Sequence, residues 1–337
     1  MTTHRNRWIS TFMYILVAVC LCNIDILTGQ PFDAFGDRFN YLTEASLSIS
    51  SQRCNQQAFT SISSVFNLFN FEIAWSCMLY TLAIVFNSHI LSLRLVSLTS
   101  SLLLLFSLRR ISGYYYLPLL IVLYPIVVEM FTVKLRMGFA FSVIMFSIAF
   151  LQNQSKTFGI LLSCSIHNMF LFLVPCALFL RNFINFTSRI KFNYRIILLS
   201  FIIFSGSTLG IFINKLMLLF NIRQTSYLVD SGFISGTGLF KLFLFLIASS
   251  LTLFSSIGQF TFAPCATIFI FVSSFFSPLT ARFFEPLIPC LLLHLFTINP
   301  FLTYYKSFLT FLKLLCVSVF CVGWIRMLMS PGLTMLS

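Results

Sequence analysis

The 337 residues are 58% hydrophobic and only 9% charged, with a mean hydropathy of +0.96, whereas a soluble globule needs roughly 25% charged residues for its surface. The net charge of +13 would suggest a nucleic-acid partner in a soluble protein, but here Lys and Arg are scattered between apolar runs and form no stripe, so no nucleic acid is expected. Apolar runs of about 17 to 25 residues recur from end to end, each long enough to cross a hydrocarbon core about 30 Å thick as a helix. They are continuous and do not alternate as barrel strands do. The expectation is all-α: a single integral membrane domain over residues 1–337, a polytopic helical bundle of about 10–12 membrane segments with some short or re-entrant helices, and lipid as its main solvent.

Arg5 and Arg7 precede a first apolar run, residues 8–27. No small-x-small cleavage pattern follows it, so it is read as an uncleaved helix with its amino end in the cytoplasm. It delivers a polar outer loop, residues 28–65, that carries Asp33, Asp37, Arg38, Glu44 and Arg53. Residues 66–86 are apolar but hold Asn67, Asn70 and Glu72 near their start. If this segment spans, Arg109, Arg110, Arg181, Arg189, Lys191 and Arg195 all fall outside, against the positive-inside tendency. It is therefore read as lying at the outer interface, with residues 89–108 running inward.

Residues 114–131 then run outward and 138–151 inward, and two short helices meet outside near His167. Residues 194–213 lead to a second outer loop, residues 214–238, with Arg223, Tyr227 and Asp230. Its glycines lack the strand-to-helix context of a phosphate cradle. Four more helices follow, near 239–256, 260–276, 283–298 and 311–328. On this layout all eight acids fall at or near the outer face, an arrangement that an outer working surface would produce and that chance in a small set would also produce. Nine of the ten cysteines lie in apolar spans as small core residues. Only Cys54 is in a polar loop, so no structural disulfide and no zinc site are expected.

The outer face also collects Lys134, Arg136, His167, Arg223 and Arg282. Charged groups beside a bilayer are costly and default to functional hypotheses. Arginine suits phosphate oxygens because its planar fork donates two parallel hydrogen bonds. Each arginine taken alone has an equally simple role, snorkelling to headgroups or anchoring a helix end. His167, in Ser165-Ile166-His167-Asn168, can take a proton from a hydroxyl or donate to a phosphate oxygen; a satisfied buried histidine is the other reading. His294 reads as structural. Asp37, Tyr41 and Glu72 add carboxylates and an aromatic ring to the same side, which suits sugar hydroxyls and sugar faces, although loop acids are often simply solvated.

The stretch Lys134-Leu135-Arg136-Met137-Gly138-Phe139-Ala140 is followed by an apolar span, Lys156, Ser165-Ile166-His167-Asn168 and a further span through Pro175. This resembles the signature of the O-antigen polymerases of the Wzy/EpsG family, in which an Arg-Gln-Gly opens a helix and a His follows about thirty residues later at a junction of short helices. Met137 stands where the family has Gln. Asp37 with Tyr41, Phe71-Glu72, Arg223 with Tyr227, and Arg282 resemble further family positions.

The resemblance implies a GT-C-like membrane glycosyltransferase in the bacterial inner membrane with its site facing the periplasm. Its donor and acceptor would be undecaprenyl-diphosphate-linked oligosaccharides, the growing glycan passing to a sugar hydroxyl of the next repeat unit in lipopolysaccharide biosynthesis. A chain-length regulator would be a partner. Nothing in the residues calls for a metal or cofactor. Arg136, Arg223 and Arg282 are assigned to the diphosphate, and His167 to proton handling or donor orientation. Asp37, Tyr41, Glu72 and Tyr227 are assigned to the substrate. An O-antigen ligase, or a flippase or other transporter of the same lipid-linked glycan, is the alternative; ligases usually carry a large late outer loop, and this chain's late loops are short.

Overall fold

The computed structural model of the chain describes residues 2–35, 37–46, 72–187, 192–219, 238–254, 262–275, 283–298 and 305–329. Among these the regular structure is entirely helical. The chain divides into two compact units, one of Met1–Phe172 with Gly323–Thr334 and one of Leu173–Val322 with Met335–Ser337.

In the first unit, α1 (Thr2–Cys22) is followed by a short α2 (Ile24–Thr28), a single 3-10 turn (Phe32–Ala34) and α3 (Arg38–Ser46). Then come α4 (Ile73–Phe86), α5 (His89–Ser112), α6 (Leu117–Val122), α7 (Pro125–Thr132), α8 (Leu135–Phe150), α9 (Asn153–Ile166) and the first turn of α10 (Phe170–Thr187). α5 is the central helix. Its Ser88 cap accepts from the Leu91 N–H at 3.3 Å, Gly113 closes it in the left-handed region at φ +75°, and Arg109 and Arg110 face the negative end of its dipole.

The buried face of α5 alternates Leu93, Val96, Leu104, Leu105 and Leu108 with Ser92, Ser97, Ser100 and Ser101. Small residues let α8 approach closely, as at helix contacts inside a bilayer. The serine hydroxyls are satisfied by carbonyls, Ser100 by Val96 O at 2.5 Å, Ser101 by Ser97 O at 2.9 Å and Ser97 by Phe131 O of α7 at 2.5 Å.

α1 runs antiparallel to α5. Near the middle of α1, Tyr14 donates to Tyr115 O at 2.5 Å and meets the edge of Phe106. Beyond its carboxyl end, Asp25 pairs with Arg94 at 2.6 Å. α4 starts with Glu72 bonded to Arg136, and its last residue, Phe86, is joined to α5 through Asn87 and Ser88 alone. Both ends of α4 thus lie at the Asp25 end of α1 and α5. At 1.5 Å per residue its 14 residues reach about 21 Å, well short of a hydrocarbon core of about 30 Å.

Residues 114–131, read from sequence as one span, are two short helices, α6 and α7, because Pro125 opens a new helix after Tyr124. α7 and α8 meet at a bend of 107°. The bend brings the α7 backbone against Gly138, where a Cβ would fall on the Met130 carbonyl oxygen. That contact gives the glycine of Arg136-Met137-Gly138 a physical role. α9 packs on α8 in the same manner at Gly159, against Ser147, and Ser163 donates to Ala140 O at 2.8 Å.

In the second unit, α11 (Phe192–Leu219), α12 (Gly238–Phe254), α13 (Phe262–Ser274), α14 (Phe284–Thr297) and most of α15 (Tyr305–Met329) follow the rest of α10. Gly206 of α11 faces the Phe269 backbone of α13, and Ser273 donates to Gly206 O at 3.0 Å. Arg195 caps the end of α12 through Leu253 O at 3.2 Å. Phe254 stacks on Tyr305 with ring centroids 4.1 Å apart.

Among the described residues two helices, His89–Ser112 and Tyr305–Ile325, are long and apolar enough to cross a membrane, and the bent α7–α8 pair passes the same test as one span. The expected absence of a structural disulfide is corrected: Cys77 of α4 is disulfide-bonded, with its partner outside the described residues. Loop spacing could not reveal this, because Cys77 sits in an apolar run and looked like a core residue.

Candidate functional site

Four of the residues singled out in the sequence, Tyr41, Glu72, Arg136 and His167, come together at the Asp25 end of the first unit, each from a different segment. Glu72 is the hub. It caps α4 with φ +50° and ψ +47°, a left-handed conformation that costs a non-glycine residue about 1 kcal/mol or more. Its side chain reaches the α9–α10 junction. One carboxylate oxygen meets His167 Nδ1 at 2.6 Å and accepts the Asn168 backbone N–H at 3.1 Å. The other is ion-paired to Arg136 Nη1.

Burial pushes the Glu72 carboxyl up, but the His167 hydrogen bond and charge, then Arg136 and the Asn168 N–H, outweigh it and hold the group below the usual carboxylate range. An ionised Glu72 accepts from an Nδ1–H, which fixes the imidazole orientation and turns Nε2 away as the atom able to exchange a proton. A carboxylate, an imidazole and a third group in contact are the arrangement by which enzymes hold a histidine ready as a general base. His167 itself is placed where α9 ends and α10 has not begun, at φ −143° and ψ 113°, and its ring meets the edge of Phe170.

Arg136 sits in the first turn of α8, just after the 107° bend, with its guanidinium carbon 5.8 Å from the Tyr41 ring centre. Tyr41 is 3% exposed and lies edge-on to Trp75, itself fully buried. Burial raises the Tyr41 phenol, with Arg136 opposing. It stays protonated, a neutral hydrogen-bonding group. Asp37 is exposed one turn before Tyr41, close enough for its charge to act on the phenol. Arg223, Tyr227 and Arg282 lie outside the described residues. Glu72, assigned from sequence to glycan contact, has both oxygens engaged within the chain.

Sequence reasoning missed an adjoining cluster. Arg38 of α3 is 1% exposed and donates from Nε to Thr132 O at 2.5 Å and from Nη1 to Asp25 at 3.5 Å. Asp25 also holds Arg94 of α5, and the Arg38 guanidinium lies over Phe32 and Phe35 at 4.4 and 5.0 Å. Burial lowers Arg38 to about 10, partly offset by Asp25, which leaves it charged at neutral pH. The available sign was an acid at the end of the first apolar run facing a loop arginine.

No family model, no curated protein and no solved structure matches this chain.

Proposed function

We propose that the chain is a multi-pass membrane glycosyltransferase of the O-antigen polymerase kind, acting at the periplasmic face of a bacterial inner membrane. The observation that carries this reading is the Glu72-held His167 beside Arg136, assembled from separate segments at one end of the first unit. In the proposed reaction a hydroxyl of the acceptor repeat unit attacks the anomeric carbon of the donor glycan. The anomeric carbon–oxygen bond to the diphosphate breaks as the new glycosidic bond forms, and undecaprenyl diphosphate leaves with the electron pair. His167 Nε2 takes the hydroxyl proton, with Glu72 stabilising the imidazolium that results. Arg136, joined by Arg223 and Arg282, stabilises the charge that grows on the diphosphate. Asp37, exposed just before α3, contacts the glycan with Tyr227, while Tyr41, assigned to the substrate from sequence, is buried and backs Arg136 instead. The apolar surface of the helices holds both lipid tails, and a chain-length regulator is the expected protein partner.

The test is the lipopolysaccharide ladder of a strain lacking this gene, complemented with the wild-type chain or with His167→Ala. The reading expects single-repeat lipopolysaccharide in the deletion, a restored ladder with wild type and none with His167→Ala. A deletion that removes every repeat from the core would contradict it and point to a ligase or to a transport step.

A further inference from the structure

The geometry points to Arg38 as a positioning residue, one that seats α3 so that Tyr41 closes over Arg136. Arg38 touches three elements at once. It accepts no solvent contact to speak of, being 1% exposed, and it joins the Thr132 carbonyl, the Asp25 carboxylate and the faces of Phe32 and Phe35. Thr132 is the last residue of α7, and its carbonyl is one of those a helix end leaves without an intrahelical donor. A cation there also meets the negative end of the α7 dipole. Arg38 therefore pins the bend at the point from which Arg136 departs, four residues on.

The same residue governs Tyr41. Residues three apart on a helix share a face, so the face of α3 that Arg38 fixes is the face that presents Tyr41 to Trp75 and Arg136. Asp25 supplies the counter-charge that burial of Arg38 requires, and Arg94 holds the other Asp25 oxygen at 2.6 Å. Arg94 is a quarter exposed at its side chain and touches neither Tyr41 nor the bend by any hydrogen bond in the structure. It serves as the control: it shares Asp25 with Arg38 but lacks the link to Thr132.

Trp75 reads the seating directly, and does so whatever the reaction is. In full-length protein carrying Trp8→Phe and Trp324→Phe, Trp75 is the sole tryptophan. Arg38→Gln is expected to red-shift its emission and raise its quenching by acrylamide, with Arg94→Gln leaving both near the parent. Arg38→Lys covers the case in which Arg38→Gln does not fold: a single ammonium lacks the planar fork whose Nε and Nη1 reach Thr132 and Asp25 from separate points, so a smaller shift in the same direction is expected. A Trp75 spectrum unchanged in Arg38→Lys, or an Arg94→Gln shift as large as that of Arg38→Gln, would overturn the proposal. A second arm rests on the polymerase reading: with lipid-linked repeat units, Arg38→Lys lowers kcat more than it raises KM. Equal loss in all kinetic terms, scaling with folded protein, would assign Arg38 a structural role only. Absence of activity in the parent would count against the polymerase reading and leave the fluorescence result to decide the role of Arg38.

Discussion

Glu72→Gln isolates the charge at the centre of the site. The amide keeps the shape of the carboxylate and the oxygen that takes both the Asn168 N–H and His167, so the loss falls on the ion pair with Arg136 and on the charge that strengthens the His167 bond. Hydrogen bonds to charged groups contribute about 1.5–3 kcal/mol each. The Arg136 and His167 side chains are 28% and 18% exposed, so solvent screening reduces the pair of interactions to about 2–3 kcal/mol in all. At about 2–4 °C per kcal/mol for a domain of this size, thermal unfolding in detergent followed by circular dichroism should fall by about 5–10 °C at neutral pH.

The pH dependence has a definite sign. Glu72 is held below its ordinary value of 4.5, so its contribution is present above that value and is lost as the pH falls through the folded-state pKa. The parent and Glu72→Gln should therefore converge in acid. A variant that melts with the parent at neutral pH, or a gap that widens in acid, would refute the assignment of Glu72 as an ionised hub.

Gly138→Ala should be severe, about 3 kcal/mol or more, because its Cβ meets the Met130 backbone carbonyl, which cannot move away without opening the bend. Gly159→Ala should cost about 1 kcal/mol, since the obstacle there is the Ser147 hydroxyl, which can rotate; comparable melting temperatures for the two would contradict this. Asp37→Asn is expected to leave the melting temperature unchanged, as Asp37 is exposed, while altering glycan affinity in a binding assay if Asp37 meets substrate. Cys77 should be alkylated in denaturant only after reduction; labelling without reductant, followed by peptide mapping, would contradict the disulfide.

Much of the helical layout was legible because apolar runs and their breaks carry it. The start of α5 at His89 and the His167 junction follow from the breaks between apolar runs. The end of α5 was read four residues early, since Arg109 and Arg110 look like a boundary yet belong to the last turn, where the helix dipole favours them. The break at Tyr124 was missed because residues 114–131 remain apolar across it. Site membership was partly legible, through residue chemistry that is costly beside lipid. Its wiring was not: Glu72 and His167 are 95 positions apart, and for Arg38 the sequence offered only Asp25 at the end of the first apolar run, without its partner. Only the fold shows that Asp25, 13 positions from Arg38 and 69 from Arg94, pairs with both.

The central claim is that the Glu72–His167–Arg136 cluster transfers a glycan from a lipid diphosphate. It is tested most directly with purified protein in liposomes, supplied with undecaprenyl-diphosphate-linked repeat units and followed by gel or mass spectrometry. The account predicts glycan polymers and release of undecaprenyl diphosphate with wild type, and neither with Arg136→Ala or His167→Ala in folded protein. Polymer formation undiminished in both variants would contradict it.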